Sequence, residues 1–212
     1  LGTAEVVARA VMQDTLEAGQ SGNALFYLEK PIAALMDERF IIRSLSPMET
    51  IGGCVVLDSN PIPIRKELKL WTASLQESPS ERIKQFVSQY WKSPKSLGNW
   101  ARHFQTTESQ VKNWIKSEEI KNEKGFLFTS EKRDESMEYI REVLTQFHKE
   151  NPYKKSLSQD RLKDATHFST NWLSYILDYM VDELIKLEGG FALKSHSVVL
   201  SDSDASLAKI LE

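Results

Sequence analysis

At 212 residues with 41% apolar side chains, the chain is long enough for one large core or two to three small ones and rich enough to fill them, which makes it globular. Its longest apolar runs, Ala24–Leu28 and Ile32–Met36, fall far short of the roughly 20 residues of a membrane span; one cysteine, Cys54, excludes an internal disulfide, and four scattered histidines offer no metal-ligand spacing. The net charge of −3 hides a basic middle third, with an excess of about five positive charges over 61–129, between two acidic flanks; that excess marks either a nucleic-acid contact or a solvated helical surface.

The opening Leu1-Gly2-Thr3 carries no initiator Met and no basic-then-apolar leader, so the chain reads as an internal piece in a reducing, cytoplasmic setting. Its first 58 residues read as strands. Glu5–Met12, Ala24–Leu28, Phe40–Arg43 and Cys54–Leu57 are short and apolar, and turn-forming stretches separate them. The expected form is a β-meander or open barrel with at least one edge strand unpartnered and a further strand upstream. Gly52 and Gly53 permit a bulge or bend before the last strand, and Cys54 reads as an inert core thiol.

Asn60-Pro61-Ile62-Pro63 stops the sheet, because proline removes ladder donors, and the chain to Glu77 reads as a linker helix. Ser78-Pro79-Ser80-Glu81 opens a helix as a capping box. Ile83, Phe86, Val87, Tyr90 and Trp91 then share one face until Pro94 ends it. A short helix buries Leu97, Trp100, Ala101 and Phe104, and a second capping box at Thr107–Gln110 opens a helix burying Val111, Trp114 and Ile115. Strands at Glu119–Lys121 and Phe126–Thr129 close the series.

The same order recurs at a period of roughly 65 to 70 residues. One helix carries Met137, Ile140, Val143, Leu144 and Phe147 and stops at Asn151-Pro152, and Ser158–Asp164 makes a second. A third, capped by Ser169, turns Trp172, Ile176, Tyr179, Met180 and Leu184 inward and runs toward Lys186. A hairpin of Phe191–Leu193 and Val198–Leu200 follows, and Ser201–Asp204 starts another capped helix. Three helices and a hairpin, twice over, is the winged helix-turn-helix pattern. The expected class is multidomain α+β, a partial antiparallel β-barrel followed by two tandem winged-helix domains. The expected parts are 1–60 barrel end, 61–77 linker helix, 78–129 and 130–200 winged-helix domains, and 201–212 the start of a third module.

The phrases Leu28-Glu29-Lys30-Pro31, Asp37–Arg43, Ser46-Pro47 and Thr50–Asp58, with Gly2–Val6 ahead of them, resemble the closing strands of the third, elongation factor Tu-like barrel domain of the bacterial selenocysteine-specific elongation factor, SelB. Cys54 departs from the pattern, standing where the family commonly has a third glycine. Phe147–Pro152 and Ser195–Ser201 are similar, more loosely, to its winged-helix modules.

The resemblance implies a protein that delivers selenocysteinyl-tRNA to the ribosome at recoded UGA codons, with a GTPase domain using GTP and Mg and terminal modules that grip an mRNA hairpin. This chain holds no Gly-x-x-x-x-Gly-Lys-Ser/Thr phosphate loop, so it is expected to have no catalytic residues, no metal site and no cofactor of its own. It would be an architectural connector, monomeric and away from membranes, meeting tRNA, ribosome and mRNA hairpin through the full-length protein. The candidate nucleic-acid contacts are Ser109, Lys112, Asn113 and Lys116 on the outer face of the third helix and the wing residues Lys121 and Lys124. The alternative is a winged-helix DNA-binding transcription regulator with a β-rich sensing or dimerisation domain; the acidic stretch Trp172–Lys186 weighs against it.

Overall fold

Strand-forming residues fill the first part of the chain and amphipathic helices most of the rest. The computed structural model describes residues 5–61, 65–116 and 119–196, side chains at 65–67 excepted. The expected start of a third module and the strand Val198–Leu200 lie outside them. Two compact units result: Leu1–Phe86 with Leu97–Ser117, and Val87–Ser96 with Glu118–Glu212.

In the first unit, β1 (Ala8–Met12) pairs antiparallel with β2 (Ala24–Leu28), and β3 (Arg39–Arg43) with β4 (Thr50–Val55). No ladder joins the two hairpins among the described residues, so the expected open sheet appears as two ladders, bridged by an edge-on contact of Phe26 and Phe40 with centroids 5.6 Å apart. The last strand starts four residues earlier than the expected Cys54. Gly52 and Gly53 lie within it, opposite Ile42 and Ile41. The bulge falls just ahead of them, with Ile51 the extra residue between the pairs Arg43–Thr50 and Ile42–Gly52.

Helix α1 (Arg65–Ser74) follows, and Asn23 donates through Nδ2 to the Leu75 carbonyl at 2.7 Å while Trp71 Nε1 donates to Asp58 at 3.2 Å. Pro79 opens α2 (Pro79–Gln89), in which Ile83 and Phe86 are buried. Arg82 is 0% exposed; its guanidinium donates to the Gln76 and Glu77 carbonyls and, at 2.5 Å, to Asp37 in the turn before β3. Helix α3 (Leu97–His103) buries Leu97, Trp100 and Ala101 as its spacing predicts, and α4 (Glu108–Trp114) completes the unit.

In the second unit, β5 (Ile120–Glu123) and β6 (Phe126–Thr129) turn through Lys124 and Gly125, with φ of 45° and 86°. Both central residues at positive φ define the tight hairpin turn that follows strand twist. Thr129 caps the long α5 (Ser130–Glu150), accepting from the Lys132 amide, and Ser158 caps α6 (Gln159–Thr166) the same way. Ser169 stands at the N-cap of α7 (Thr170–Tyr179) but makes no side-chain cap bond, contrary to expectation.

Helix α7 also ends earlier than its apolar spacing suggests. Leu184 opens β7 (Leu184–Leu187), which pairs with β8 (Gly190–Leu193), and Tyr179 is 49% exposed instead of inward. Leu184, Ile185 and Leu187 find a ladder partner across Glu188-Gly189, which pairs their backbone groups as a strand. Gly190, at φ +140°, lies so close to Leu157 that an added Cβ would sit 2.0 Å from its carbonyl oxygen. Leu157 and Phe191 exchange both backbone hydrogen bonds there, at 2.9 and 2.8 Å.

The core of this unit is one cluster built from β6, α5, α6, α7 and β7, centred on Phe128, Ile140, Leu144, Leu162, Trp172 and Ile176. Trp172 donates to Ser136 Oγ at 3.2 Å, and Ser136 donates to the Lys132 carbonyl, so both buried polar groups are satisfied. Arg141 on α5 forks onto Glu183 at 2.7 and 2.9 Å; this bond raises the guanidinium pKa and lowers that of the carboxyl.

The recurrence extends to detail. Leu97 and Gln159 begin corresponding helices 62 residues apart, as do Glu108 and Thr170. The Leu127 amide donates to the Lys95 carbonyl at 3.0 Å, as Phe191 does to Leu157, each from the second residue of the outer strand to the residue two before a helix.

Candidate nucleic-acid interface

Thr107, in extended conformation, accepts from the Gln110 amide at 3.2 Å and so fixes the start of α4. Val111 is buried, and Trp114 packs edge-on against Phe104 at 5.6 Å. These anchors leave Ser109, Lys112 and Asn113 exposed on the opposite face. Lys116 is exposed too, but lies one residue past the C-cap Ile115. Neither lysine makes an ion pair among the described residues, so both ammonium groups are open to an anionic partner.

Lys121 and Lys124 belong to the second unit. Lys121 is half-buried in β5, paired with Phe128. Lys124 is exposed in the turn with its ammonium 5.9 Å from the Tyr175 ring centroid, and its neighbour Glu123 accepts from the Tyr175 hydroxyl at 2.9 Å. Burial first, and Glu123 second, push the Tyr175 phenol up to about 12. The turn is thus held to α7 by polar contacts as well as by rings. The six candidates form two groups, four residues in one unit and two in the other.

Sequence spacing did not reveal a cation-aromatic cluster around Trp91. Lys92 and Lys132 hold their ammonium groups 5.4 and 5.7 Å from the Trp91 ring, and Lys92 is also 5.1 Å from Tyr139. The adjacency Trp91-Lys92 was a visible hint, whereas Lys132 arrives from α5, about 40 residues later in the chain. Trp71, the one tryptophan not assigned inward, packs edge-on against Phe86 at 5.2 Å. His148 and His196 stack with centroids 3.6 Å apart, and both His148 ring nitrogens and His196 Nε2 are buried without a hydrogen-bond partner among the described residues. Burial pushes the Cys54 thiol pKa up, away from the reactive thiolate. Among the described residues no group of three or more His, Cys, Asp or Glu can hold a metal ion, and no helix is long and apolar enough to cross a membrane.

Residues 1–62 match the family described as "Selenocysteine-specific elongation factor, beta-barrel domain". These residues belong to that domain family. The SelB resemblance carried by Asp37–Arg43 and Thr50–Asp58 therefore stands for the two hairpins. No curated protein sequence matches the chain. Among solved structures it is similar to a bacterial selenocysteine-specific elongation factor, EF-Sec, with a TM-score of 0.65 and 15% identity over 98% of this chain. The chain spans 33% of that protein's length. At that identity the likeness bears on the fold, a mixed α+β arrangement of small antiparallel sheets and helices beyond the SelB barrel segment.

Proposed function

We propose that the chain is the connector of a selenocysteine-specific elongation factor, joining the body that binds GTP and selenocysteinyl-tRNA to the modules that hold the mRNA hairpin. In this reading the two helix-helix-helix-hairpin segments are tandem winged-helix domains of a monomeric cytoplasmic protein. They catalyse nothing themselves, and GTP with Mg is bound elsewhere in the full-length protein. Phosphate contacts come from Ser109, Lys112, Asn113, Lys116, Lys121 and Lys124.

One observation carries the reading. The first segment's hairpin is built into the second segment's core: Phe126 and Phe128 lie 5.6 and 5.1 Å from the Trp172 ring, and both also meet Tyr175. A hairpin that read a nucleic-acid groove as a free wing would not bury its aromatic face in the next module. A spacer that must hold distance and angle would. The regulator alternative fares worse, because α7, its would-be recognition helix, contains no lysine or arginine and buries Trp172, Tyr175 and Ile176.

The test is UGA readthrough directed by a selenocysteine-insertion hairpin, in cells carrying the full-length protein with Phe128→Ala and Trp172→Ala together. Readthrough should fall several-fold while guanine-nucleotide binding is retained. Unchanged readthrough with the hairpin unseated, shown by loss of hydrogen-exchange protection over Phe126–Thr129, would rule out the connector role.

A further inference from the structure

Arg82 is a charge held away from solvent. Its side chain is 0% exposed, and among the described residues the carboxylate that meets it is Asp37, whose own side chain is 44% exposed. One terminal nitrogen donates to Asp37 at 2.5 Å and the other to the Gln76 and Glu77 carbonyls at 3.3 and 2.8 Å, while the guanidinium lies 5.8 Å from the Phe104 ring centroid. The turn before β3, the loop between α1 and α2, α2 itself and the residue that follows α3 therefore meet at one side chain.

Both ends of the contact are fixed. The Asp37 amide donates to the Val56 carbonyl at 2.8 Å and the Val56 amide to the Glu38 carbonyl at 2.9 Å, which ties the turn to the end of β4. On the helical side the Arg82 amide donates to the Ser78 carbonyl at 2.9 Å, and the neighbouring Ile83 and Phe86 are buried. Stability alone is a poor reason for such a pair. Replacing a buried ion pair by apolar residues of similar volume is often neutral or stabilising, and the best-attested use of keeping one is to fix register between packed elements. Arg82 Nε has no acceptor among the described residues, so the site is not optimised even as a set of hydrogen bonds. Apolar burial is non-directional and allows packed elements to slide, whereas a charge that must meet one carboxylate admits one seating. The other polar ties between strands and helices, Asn23 to the Leu75 carbonyl and Trp71 to Asp58, are only part-buried.

We propose that the Arg82–Asp37 pair fixes how the helical part of the first unit is seated on its strand hairpins, which makes Arg82 a positioning residue and the joint rigid. The inference rests on the connector reading for its use in translation, where distance and angle are what a spacer transmits. The seating itself is measured without reference to that reading.

Pulsed electron spin resonance on the whole chain measures it, between nitroxides at Leu45→Cys, past the end of β3, and Gln110→Cys, on α4, both exposed, with Cys54→Ala removing the native thiol. With Arg82 and Asp37 in place, one narrow distance is expected. Asp37→Asn removes the charge and keeps the φ of 63°, which asparagine tolerates; the narrow distance should be lost while amide protection of β3, β4 and α3 is retained. Arg82→Met with Asp37→Asn removes the buried charge as well, so the denaturant midpoint should recover from that of Asp37→Asn alone while the distance stays broad. A broad distance together with unchanged UGA readthrough by the full-length Asp37→Asn protein would leave the joint standing and remove the connector reading instead. A narrow, unshifted distance in either variant, or a broad one in the unaltered chain, would overturn the proposal. So would loss of amide protection in both variants, since the pair would then hold the fold together and not its orientation.

Discussion

His148 is the side chain whose surroundings oppose its charge most plainly. Burial lowers its pKa first and the stacked His196 second, and only the nearby Lys154 backbone favours the charged form. With the folded-state value below the unfolded one, the unfolded chain binds more protons in the interval between them. The stability contributed by the neutral ring is therefore complete above the ordinary imidazole range, near about pH 6.5, and is lost as pH falls through it. Urea midpoints at about pH 7.5 and 5.5, either side of that range, should differ more for the unaltered chain than for His148→Phe, and an equal difference would contradict the assignment. Nothing in the sequence marked this pair, because 47 residues of chain separate its members and neither lies in a ligand-like spacing. Arg82 was hidden for a similar reason. Helical periodicity placed Ile83 and Phe86 inward, but only the turn holding Asp37, with the free carbonyls of Gln76 and Glu77, explains why a charged neighbour is buried as well.

At the scale of elements, caps and apolar periodicity were legible because they depend on neighbours three and four residues apart. Thr107 acts as the cap its spacing predicts, whereas Ser169 makes no cap bond and the caps Thr129 and Ser158 were not singled out in the sequence. The second hairpin was not legible in its register, since Leu184 fits both a continuing helix and a new strand. The choice is made by Gly190, whose missing Cβ admits the Leu157 carbonyl. This gives a contrast between two glycines of positive φ. Gly125→Ala meets no atom within 4 Å, so it should cost only the strain of its turn, about 1 kcal/mol. Gly190→Ala drives a methyl into Leu157 and forfeits the paired hydrogen bonds at 2.8 and 2.9 Å, so about 3 kcal/mol or more is expected. Denaturant midpoints of the two variants compare them directly, and equal losses would mean that the close approach at Leu157 is not rigid.

For the whole molecule, the order of strands, linker helix and recurring helices was readable from composition and punctuation alone, and the SelB likeness of residues 1–62 from a few phrases. What no local pattern held was the use made of the hairpins. Phe126 and Phe128 look like the inner face of a small wing until Trp172 and Tyr175 are brought against them from much later in the chain. That packing divides the six candidate basic and polar residues by cost of release. Lys112 and Lys116 are exposed in the first unit and able to meet phosphate, whereas Lys124 is drawn over Tyr175 beside a carboxylate in use. If the chain touches RNA, binding should be weak and should fall steeply with salt, since each neutralised phosphate releases counterions. Replacing Lys112 and Lys116 with alanine should flatten the slope of log K against log salt by about 1 for each phosphate left without its lysine, and Lys124→Ala should change it less. Filter binding to hairpin RNA between about 50 and 200 mM salt, the range over which such slopes are resolved, reads this directly. A salt-independent affinity, or a larger effect of Lys124 than of Lys112, would move the RNA-binding surface away from α4 and onto the turn.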